Sequence, residues 1–415
     1  MLHGKKDVYS LMQTNRLIYK LVSDFIPTMF HEYKTVYDGV LRHCKYESKL
    51  TLEYNDTITD WGLEPLLGVT SLNLYCNKLI TGSALNRLTS ITKLNLFDNS
   101  IIKDDDLIKL TAIRNLSLGL SSKITDSAVL SLPNIEKLSL NRNSNISNDC
   151  LVELSRKKSL VSLQLHINPT IQNQTVLTHT NLTKLNLSNN LIITDDCISQ
   201  LTNLRWLRLS HNKKIHNKSV KLLTNLTYLD LCENLMVTGK ALTHLTSLCV
   251  LDLSVNKVIL NEDIIPLRLT KLVLVNNNNI TSEVLPHLTS LVSLNLTDND
   301  FICCNLTYNS LKFLSGLTEL ELNSNYEFCD EMLSQLTNLT SLGLEYNDII
   351  TDGGISNLTN LTYLNIEGNY NITMGSLELL NINNLDHEAS DWIGNEEADR
   401  LKFAHIRKKL LSNQL

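Results

Sequence analysis

The chain has 415 residues, of which 43% are hydrophobic and 19% charged, and its formal net charge is −6. A single compact core rarely grows beyond roughly 250–300 residues, so this length requires either several domains or an elongated array. Leu makes up about a fifth of the chain and Asn more than a tenth. Such a bias indicates a repeat in which each has a fixed place. The mild acidity argues against a nucleic-acid-binding protein.

The N-terminal sequence MLHGKKDVYSLMQTNRLIYKLVSDF has no apolar stretch of signal-peptide length, and no later window is apolar enough for a membrane-spanning helix. The nine cysteines form no C-x-x-C pair, which favours free thiols. We therefore expect a cytoplasmic protein in a reducing compartment, with no membrane partner. N-x-T triplets at Asn181, Asn225, Asn338 and Asn360 are interpreted as products of a repeated T-N-L-T phrase, not as glycosylation sites.

A repeat of about 22 residues fills most of the chain. TSLNLYCNKLITGSALNRLTSI (70–91) is followed directly by TKLNLFDNSIIKDDDLIKLTAI (92–113), and later copies include 183–204 and 340–361. The unit reads T-x-L-x-L-x-x-N-x-x-I-T-D-x-x-L-x-x-L-x-x-L and has about fifteen copies. Its Asn column is Asn55, Asn77, Asn99, Ser121, Asn143, Asn168, Asn190, Asn212, Asn234, Asn256, Asn277, Asn299, Asn325, Asn347 and Asn369.

Each position of the repeat predicts a structural role. Alternating leucines such as Leu72 and Leu74 are typical of a short strand with one buried face. The Asn is expected to satisfy backbone groups in the turn after the strand. Asp, Asn or Gly then precedes an L-x-x-L stretch, and these N-cap residue types predict the start of a short helix. The predicted N-caps include Asp60, Asp126, Asp195 and Asp352.

Over positions 48–375 the chain resembles the leucine-rich-repeat family. The N-x-x-I-T-D phrase is similar to that of F-box/leucine-rich-repeat proteins, whereas the unit length is closer to internalin-type repeats. The resemblance implies an α/β solenoid: a horseshoe with a parallel concave sheet, short convex helices, and helical caps at 1–47 and 376–415. Two insertions, at 155–158 and 302–308, are predicted to form loops. Such loops either mark a functional face or result from neutral drift at an exposed position.

The segment KKDVYSLMQTNRLIYKLVSDF resembles the latter half of an F-box, although the opening Leu-Pro helix of that family has no counterpart in this sequence. The matching residues are Asp7, Val8, Leu11, Asn15, Leu17 and Tyr19. This resemblance implies docking of a Skp-type adaptor. A helical N-terminal cap without an adaptor is the alternative.

No catalytic constellation is present in the sequence: it contains no phosphate-binding glycine loop, no G-x-G-x-x-G and no H-E-x-x-H. We predict a protein that is not an enzyme and has no cofactor and no metal site. Cys303 and Cys329 occupy equivalent repeat positions and, with Cys304, are interpreted as small thiols rather than zinc ligands.

The predicted binding surface is the concave face, because every second strand residue projects there. Trp, Tyr and Arg, which most often anchor protein interfaces, are concentrated in the middle of the array. Arg208 and Asp230 are predicted to be neighbours on adjacent strands, where mutual neutralisation is the alternative to partner binding. The candidate residues are Lys184, Arg205, Trp206, Arg208, His211, Tyr228, Asp230, Glu319, Glu321, Glu345, Tyr363 and Glu367.

Charge along this face is predicted to run from positive at Lys93, Lys137 and Lys184 to negative at the glutamates, which would orient a partner of complementary charge. The predicted function is a non-enzymatic protein-interaction module. It would serve as the substrate-recognition subunit of an SCF-type ubiquitin ligase if the F-box resemblance holds. The alternatives are a scaffold or regulatory subunit without a ubiquitin role, or a host-directed, internalin-like effector.

Overall fold

A computed structural model describes residues 38–41, 48–120, 122–299, 312–326, 328–380, 382 and 384–386. The chain divides into two compact units, Met1–Asn203 and Leu204–Leu415. The predicted adaptor-docking segment 7–19, the insertion at 302–308 with Cys303 and Cys304, and most of the predicted C-terminal cap lie outside the described residues.

The first unit carries seven parallel strands, each of which pairs with the next through residues at the same repeat position. Leu50, for example, lies opposite Leu72, and Leu72 lies opposite Leu94. The strands are β1 (Lys49–Thr51), β2 (Ser71–Asn73), β3 (Lys93–Leu96), β4 (Asn115–Leu118), β5 (Lys137–Ser139), β6 (Ser162–Gln164) and β7 (Lys184–Asn186).

The second unit repeats the arrangement with nine parallel strands in sequential order. They are β8 (Trp206–Arg208), β9 (Tyr228–Asp230), β10 (Val250–Asp252), β11 (Lys271–Val273), β12 (Ser293–Asn295), β13 (Glu319–Glu321), β14 (Ser341–Gly343), β15 (Tyr363–Asn365) and β16 (Asn384–Asp386). The predicted fold class, an α/β leucine-rich-repeat solenoid with a parallel sheet, is confirmed.

Short helices connect successive strands. Those of the first unit are Asp38–Leu41, Asp60–Leu63, Gly82–Leu85, Asp104–Leu107, Asp126–Ser131, Asn148–Lys157, Asn173–Leu177 and Asp195–Ile198. Those of the second are Asn217–Val220, Gly239–Leu242, Asn261–Ile264, Asp330–Leu333, Asp352–Ile355 and Met374–Leu377, with 3-10 helices at Ser282–His287 and Lys312–Leu314. No helix in the described part of the chain is both long and apolar enough to cross a membrane.

The core is the stack of repeat leucines and isoleucines. In the unit of β8, Leu207, Leu209 and Ile215 are fully buried, and their equivalents are buried throughout both units. Burying one such side chain contributes about 1.5–3 kcal/mol relative to leaving it exposed. One repeat has no second layer to cover these groups, so neighbouring repeats must stack to bury them.

The repeat Asn satisfies backbone groups in the turn after its strand, as predicted, and it also joins consecutive units in a buried ladder. The Nδ2 of Asn234 donates to the carbonyls of Leu209 (2.8 Å) and Asn212 (3.1 Å). Its Oδ1 accepts from the backbone N–H groups of Met236 and Val237, both at 2.9 Å. The same four bonds occur at Asn77, Asn99, Asn168, Asn190, Asn256, Asn277 and Asn347. One side chain thus satisfies four backbone groups that stacking removes from water.

The unit without Asn uses a serine instead. Position 121, the predicted column member, lies outside the described residues, and the adjacent Ser122 hydroxyl accepts the N–H of Ile124 at 3.1 Å. In this unit the hydroxyl of Ser122, one position after the column, accepts one of the backbone N–H groups that the amide serves in other units.

The prediction that the repeat Asp is the helix N-cap was wrong. The N-cap is the preceding Thr, and Asp60 is the first helical residue. Its carboxylate instead accepts the backbone N–H (2.7 Å) and the hydroxyl (2.5 Å) of Thr81, the N-cap residue of the next unit. Asp126 and Asp352 bind Ser147 and Thr373 in the same way, so this Asp joins neighbouring repeats instead of capping its own helix.

Two units replace this Asp by Gly, and the next repeat compensates. After Gly82, the N–H of Lys103 is accepted by Asp106 of its own helix at 2.9 Å, and after Gly239, Asp263 accepts the N–H of Leu260 at 2.9 Å. A Cβ at Gly82 would lie 1.7 Å from the Asp106 carboxylate. Glycine is required there because the carboxylate occupies the space of the missing side chain.

The insertion at 155–158 is part of a helix, which corrects the predicted loop. It extends Asn148–Lys157 to ten residues, and the helix ends at Lys158 in the left-handed conformation, with φ 52°. Lys157 Nζ donates to the carbonyls of Leu130 (2.8 Å) and Leu132 (3.2 Å) in the preceding unit. The added residues therefore strengthen the contact between two repeats.

Candidate functional site

Side chains that alternate with the buried leucines lie on the open side of each sheet, which we call the strand face. In β8 these are Trp206 and Arg208, on either side of buried Leu207. The fold requires only the leucine and the repeat Asn at these positions of the unit. The residues on the strand face are thus free to carry function, and they differ strongly between the two units.

The strand face of the second unit begins with an aromatic patch, defined as Trp206, Arg208, Tyr228 and Asp230. The Trp206 and Tyr228 rings are stacked, with centroids 4.8 Å apart and 18° between their planes. The Arg208 guanidinium lies 5.0 Å from the Trp206 centroid, and its Nη2 lies 3.3 Å from the Tyr228 hydroxyl. Cation–π attraction and a hydrogen bond therefore hold the arginine beside both rings.

Arg208 and Asp230 occupy the same register position on adjacent strands, as predicted, and they form an ion pair at 3.3 Å, the mutual neutralisation that was the alternative to partner binding. The structure buries Asp230, whereas the sequence suggested that it would be exposed together with its neighbours. Burial raises the pKa of the Asp230 carboxyl; Asp252 on the next strand adds to the rise, while the Cys232 N–H and Arg208 oppose it. Asp252 was missed in the sequence, although reading the same position one unit further would have found it.

Two other predicted residues flank the patch without lying in a strand. His211 is in the left-handed turn that ends the strand, with φ 52°, and its Nδ1 is 3.3 Å from Glu233 Oε2. Arg205 is exposed and precedes β8, where its carbonyl accepts the N–H and hydroxyl of Thr227. Both border the aromatic patch from the strand ends.

The predicted glutamates form an acidic group, defined as Glu319, Glu321, Glu345 and Glu367. Glu319 is exposed and lies 3.7 Å from Lys271. Glu321 is partly buried, which raises its pKa, and Glu319 and Glu345 add to the rise. Its carboxylate lies over Gly343, where a Cβ would be 1.8 Å from Oε2. The small residue on the next strand thus makes room for the acid.

Glu345, Tyr363 and Glu367 are all half-buried near the end of the second unit. Glu345 accepts from Asn365 Nδ2 at 3.5 Å. Tyr346 lies in the left-handed turn with φ 50°, and its ring covers Gly368. The C-terminal strand face therefore combines carboxylates with aromatic rings.

The first unit has a different strand face. The predicted Lys184 is exposed on β7, and it is one of four lysines at the same register position, with Lys49, Lys93 and Lys137. An aromatic cluster that the sequence reading missed lies at the strand ends of this unit. Tyr75 contacts Tyr54 and Phe97 edge-to-face, with centroids 4.9 and 5.4 Å away.

The remaining chemistry-bearing side chains do not converge. Within the described ranges no group of three His, Cys, Asp or Glu residues is arranged to hold a metal ion. His166 Nδ1 lies 2.9 Å from the Ser188 carbonyl, and Cys329 is a free thiol at the N-cap of its helix. Burial raises the pKa of the Cys197 thiol to about 12, which makes it a poor nucleophile.

No protein-family model and no curated protein sequence matches the chain. Solved structures do. TLR13, in complex with ssRNA13, is 24% identical with TM-score 0.46, and the match covers 84% of this chain and 53% of TLR13. An internalin from Listeria monocytogenes is 24% identical with TM-score 0.39, covering 84% and 94%. The yeast Rad7–Elc1 complex matches at 16% identity and TM-score 0.49, covering 89% and 90%.

This chain spans about half of the TLR13 chain that it matches. At these identities the likeness is one of fold. The parallel strands, the buried leucines and the asparagine ladder give this chain a leucine-rich-repeat fold.

Proposed function

We propose that this chain is a non-enzymatic protein-binding module whose partner lies on the strand face of residues 204–386. The observation that carries the proposal is the aromatic patch. Large aromatic rings at outward positions are not needed for folding, since Lys184 and Asn186 occupy the equivalent positions of β7. Trp, Tyr and Arg are the residue types that dominate binding energy at protein interfaces.

The patch is held in place before any partner arrives. Trp206 is stacked on Tyr228, and Arg208 is fixed by Asp230. Binding therefore costs little additional side-chain entropy, which is about 0.5–1.5 kcal/mol for each freely rotating side chain that an interface immobilises. The ion pair also compensates the arginine charge, so the patch suits an apolar or aromatic group that is edged by a hydrogen-bond acceptor.

The acidic group supplies orientation. Four carboxylates on one strand face, with Lys271 as a described counter-charge beside Glu319, favour a partner that is basic where it faces them. Complementary charge of this kind raises association rates and selects orientation more than it raises affinity. We therefore expect one partner that places an apolar anchor on the patch and a basic segment on the acidic group.

The test is quantitative capture of partners by the full chain and by two variants. Trp206→Ala combined with Arg208→Ala removes the anchor, while Trp61→Ala removes an exposed tryptophan from a helix, on the side away from the strand face. A protein captured by wild type and by Trp61→Ala, and lost with the double variant, supports the proposal. Equal capture by all three contradicts it.

We further propose, from the resemblance of residues 7–19 alone, that the N-terminal segment docks a Skp-type adaptor and that the repeats present a substrate to an SCF-type ubiquitin ligase. Leu11→Asp with Leu17→Asp should abolish recovery of the adaptor and leave capture through the aromatic patch unchanged. If wild type recovers no adaptor, the alternative of a scaffold, a regulatory subunit or an internalin-like effector replaces the ligase role. Cytoplasmic location and the exclusion of nucleic acid remain predictions.

A further inference from the structure

A lysine row runs across the sheet of the first unit. Lys49, Lys93, Lys137 and Lys184 lie at one register position on β1, β3, β5 and β7. The intervening strands carry short polar residues there: Ser71, Asn115 and Ser162. All four lysines are exposed, and none forms an ion pair with a described residue.

The surroundings of the row are depleted of negative charge. The second outward position of β1 to β7 holds only uncharged residues: Thr51, Asn73, Asn95, Ser117, Ser139, Gln164 and Asn186. Of the carboxylates beside the strands, Glu53 accepts from Asn73 at 2.9 Å, and Glu136 is paired with Arg114. The lysines therefore remain uncompensated on a chain whose overall charge is −6.

The spacing of the row identifies the ligand. Adjacent strands are about 4.8 Å apart, so lysines on alternate strands are spaced by about 9.6 Å. A polyproline II segment has three residues per turn and advances about 3.1 Å per residue, so the side chains on one of its faces recur about every 9.3 Å. A peptide that crosses the strands in polyproline II form would place every third side chain beside a lysine, and the amides and hydroxyls of the neighbouring position would face its backbone.

We propose that the lysine row binds an extended acidic segment of a partner protein, with a carboxylate at about every third residue. This rests on the proposed function and deepens it, because it assigns a second contact to the strand face and gives its chemistry. The assignment of an acidic ligand is based on charge complementarity with four evenly spaced lysines.

The geometry favours a peptide over a single-stranded nucleic acid. Nucleic-acid grooves combine basic residues with open aromatic rings on which bases stack. The described rings at the strand ends of this unit, Tyr54, Tyr75 and Phe97, pack edge-to-face in a chain, and they lie after the strands, away from the row. At the outward strand positions, the row is flanked only by amides and hydroxyls.

The experiment uses the full chain and fluorescence anisotropy. The probe is a labelled Glu-Gly-Ser repeat peptide, and its control has the same composition with all glutamates in one block. Lys93→Glu with Lys137→Glu should weaken binding of the repeat peptide by about tenfold or more. Lys109→Glu with Lys123→Glu changes net charge equally at exposed lysines beside the helices and should leave binding within about twofold.

Other outcomes overturn the proposal. Equal binding of the block peptide would remove the spacing argument, and tighter binding of oligothymidylate would reassign the row to nucleic acid. Self-association that Lys93→Glu with Lys137→Glu abolishes would identify the occupant as the acidic group of a second copy. Loss of peptide binding in the helix-side variant would mean attraction to net charge alone. If partner capture by the full chain still requires Trp206 in any of these cases, the proposed function of the second unit is unaffected.

Discussion

The two units share one backbone plan and differ in what they place on it. On β1 to β7 the outward strand positions carry four lysines and no carboxylate, whereas β8 to β15 carry two cations, Arg208 and Lys271, and four acids. Both cations of the second unit are paired, and none of the four lysines of the first is. The same fold thus supports a surface that is compensated internally and one that is not, and the proposed acidic segment would supply the missing counter-charge of the lysines.

The largest expected effect concerns what the units share. Asn77→Ala and Asn234→Ala each remove four hydrogen bonds and leave buried backbone groups unsatisfied. We expect each to lower the free energy of unfolding by about 3 kcal/mol or more, measured by urea denaturation. Asn360→Ala, which removes one exposed bond to Thr337, should cost about 1 kcal/mol or less. A large difference between Asn77 and Asn234 would show that the ladder is not equivalent in the two units.

The next effect concerns the two glycine exceptions. Gly82→Ala and Gly239→Ala drive a Cβ into the carboxylates of Asp106 and Asp263, and each should destabilise the protein by about 1–3 kcal/mol. In an Asp106→Ala background the overlap is gone, so Gly82→Ala should cost clearly less than in the wild type. A purely additive double-mutant cycle would contradict steric coupling between these residues.

A smaller effect is confined to the first unit. His179 is buried where later repeats have Leu201 and Leu223, and its Nε2 has no hydrogen-bond partner among the described residues. Burial lowers its pKa below the ordinary 6.5. Between about pH 6.5, the ordinary pKa of His, and the lower pKa of His179 in the folded state, the unfolded chain binds a proton that the folded chain does not. The free energy of unfolding therefore falls as the pH falls through this range.

His179→Leu should remove that contribution. We expect a gain in stability of about 1 kcal/mol at pH 8 and a larger gain at pH 5.5, measured by urea denaturation at both values. An equal gain at the two pH values would mean that His179 does not titrate differently in the folded and unfolded states.

The smallest effects should have opposite signs in the two units. Lys137→Gln relieves repulsion within the lysine row and should raise stability by a few tenths of a kcal/mol at low salt. Lys271→Gln removes the counter-charge of Glu319 and should lower stability by a similar amount. Both differences should fade as salt screens them, and matching signs would contradict the contrast between the faces.

Much of the fold can be predicted from the sequence because each repeat position meets a local requirement, either burial of a side chain or hydrogen bonding of the backbone. The alternating leucines predict the strands, and the Asn column predicts satisfied backbone groups in the turn. The bonds from this Asn to the preceding unit, such as that of Asn234 to Leu209, appear only in the stacked structure. The role of Asp60 was not readable, since its partner Thr81 is one unit away and only the stacked register brings them together. The insertion at 155–158 was predicted as a loop because its length alone does not reveal a continued helix.

The candidate site was predictable where composition is unusual. Trp206, Arg208 and Tyr228 are recognisable in the sequence by their residue types, and the constant repeat length predicted that Arg208 would lie opposite Asp230. The burial of Asp230 could not be predicted, because it depends on how the side chains of Arg208 and Tyr228 pack over it. Asp252 and Lys49 were missed because neither is unusual within its own repeat. Their roles depend on Asp230 and Lys93, which lie near them only across the sheet.

The claim that the strand faces carry the function is tested most directly by site-specific photocrosslinking. A photoreactive amino acid placed at Tyr228 or Lys137 reports on the two strand faces, and one placed at Trp61 or Lys109 reports on the helix side. The account predicts crosslinks to a captured partner from the first two positions and none from the others. Crosslinks of equal yield from the helix side, or from the helix side alone, would contradict it.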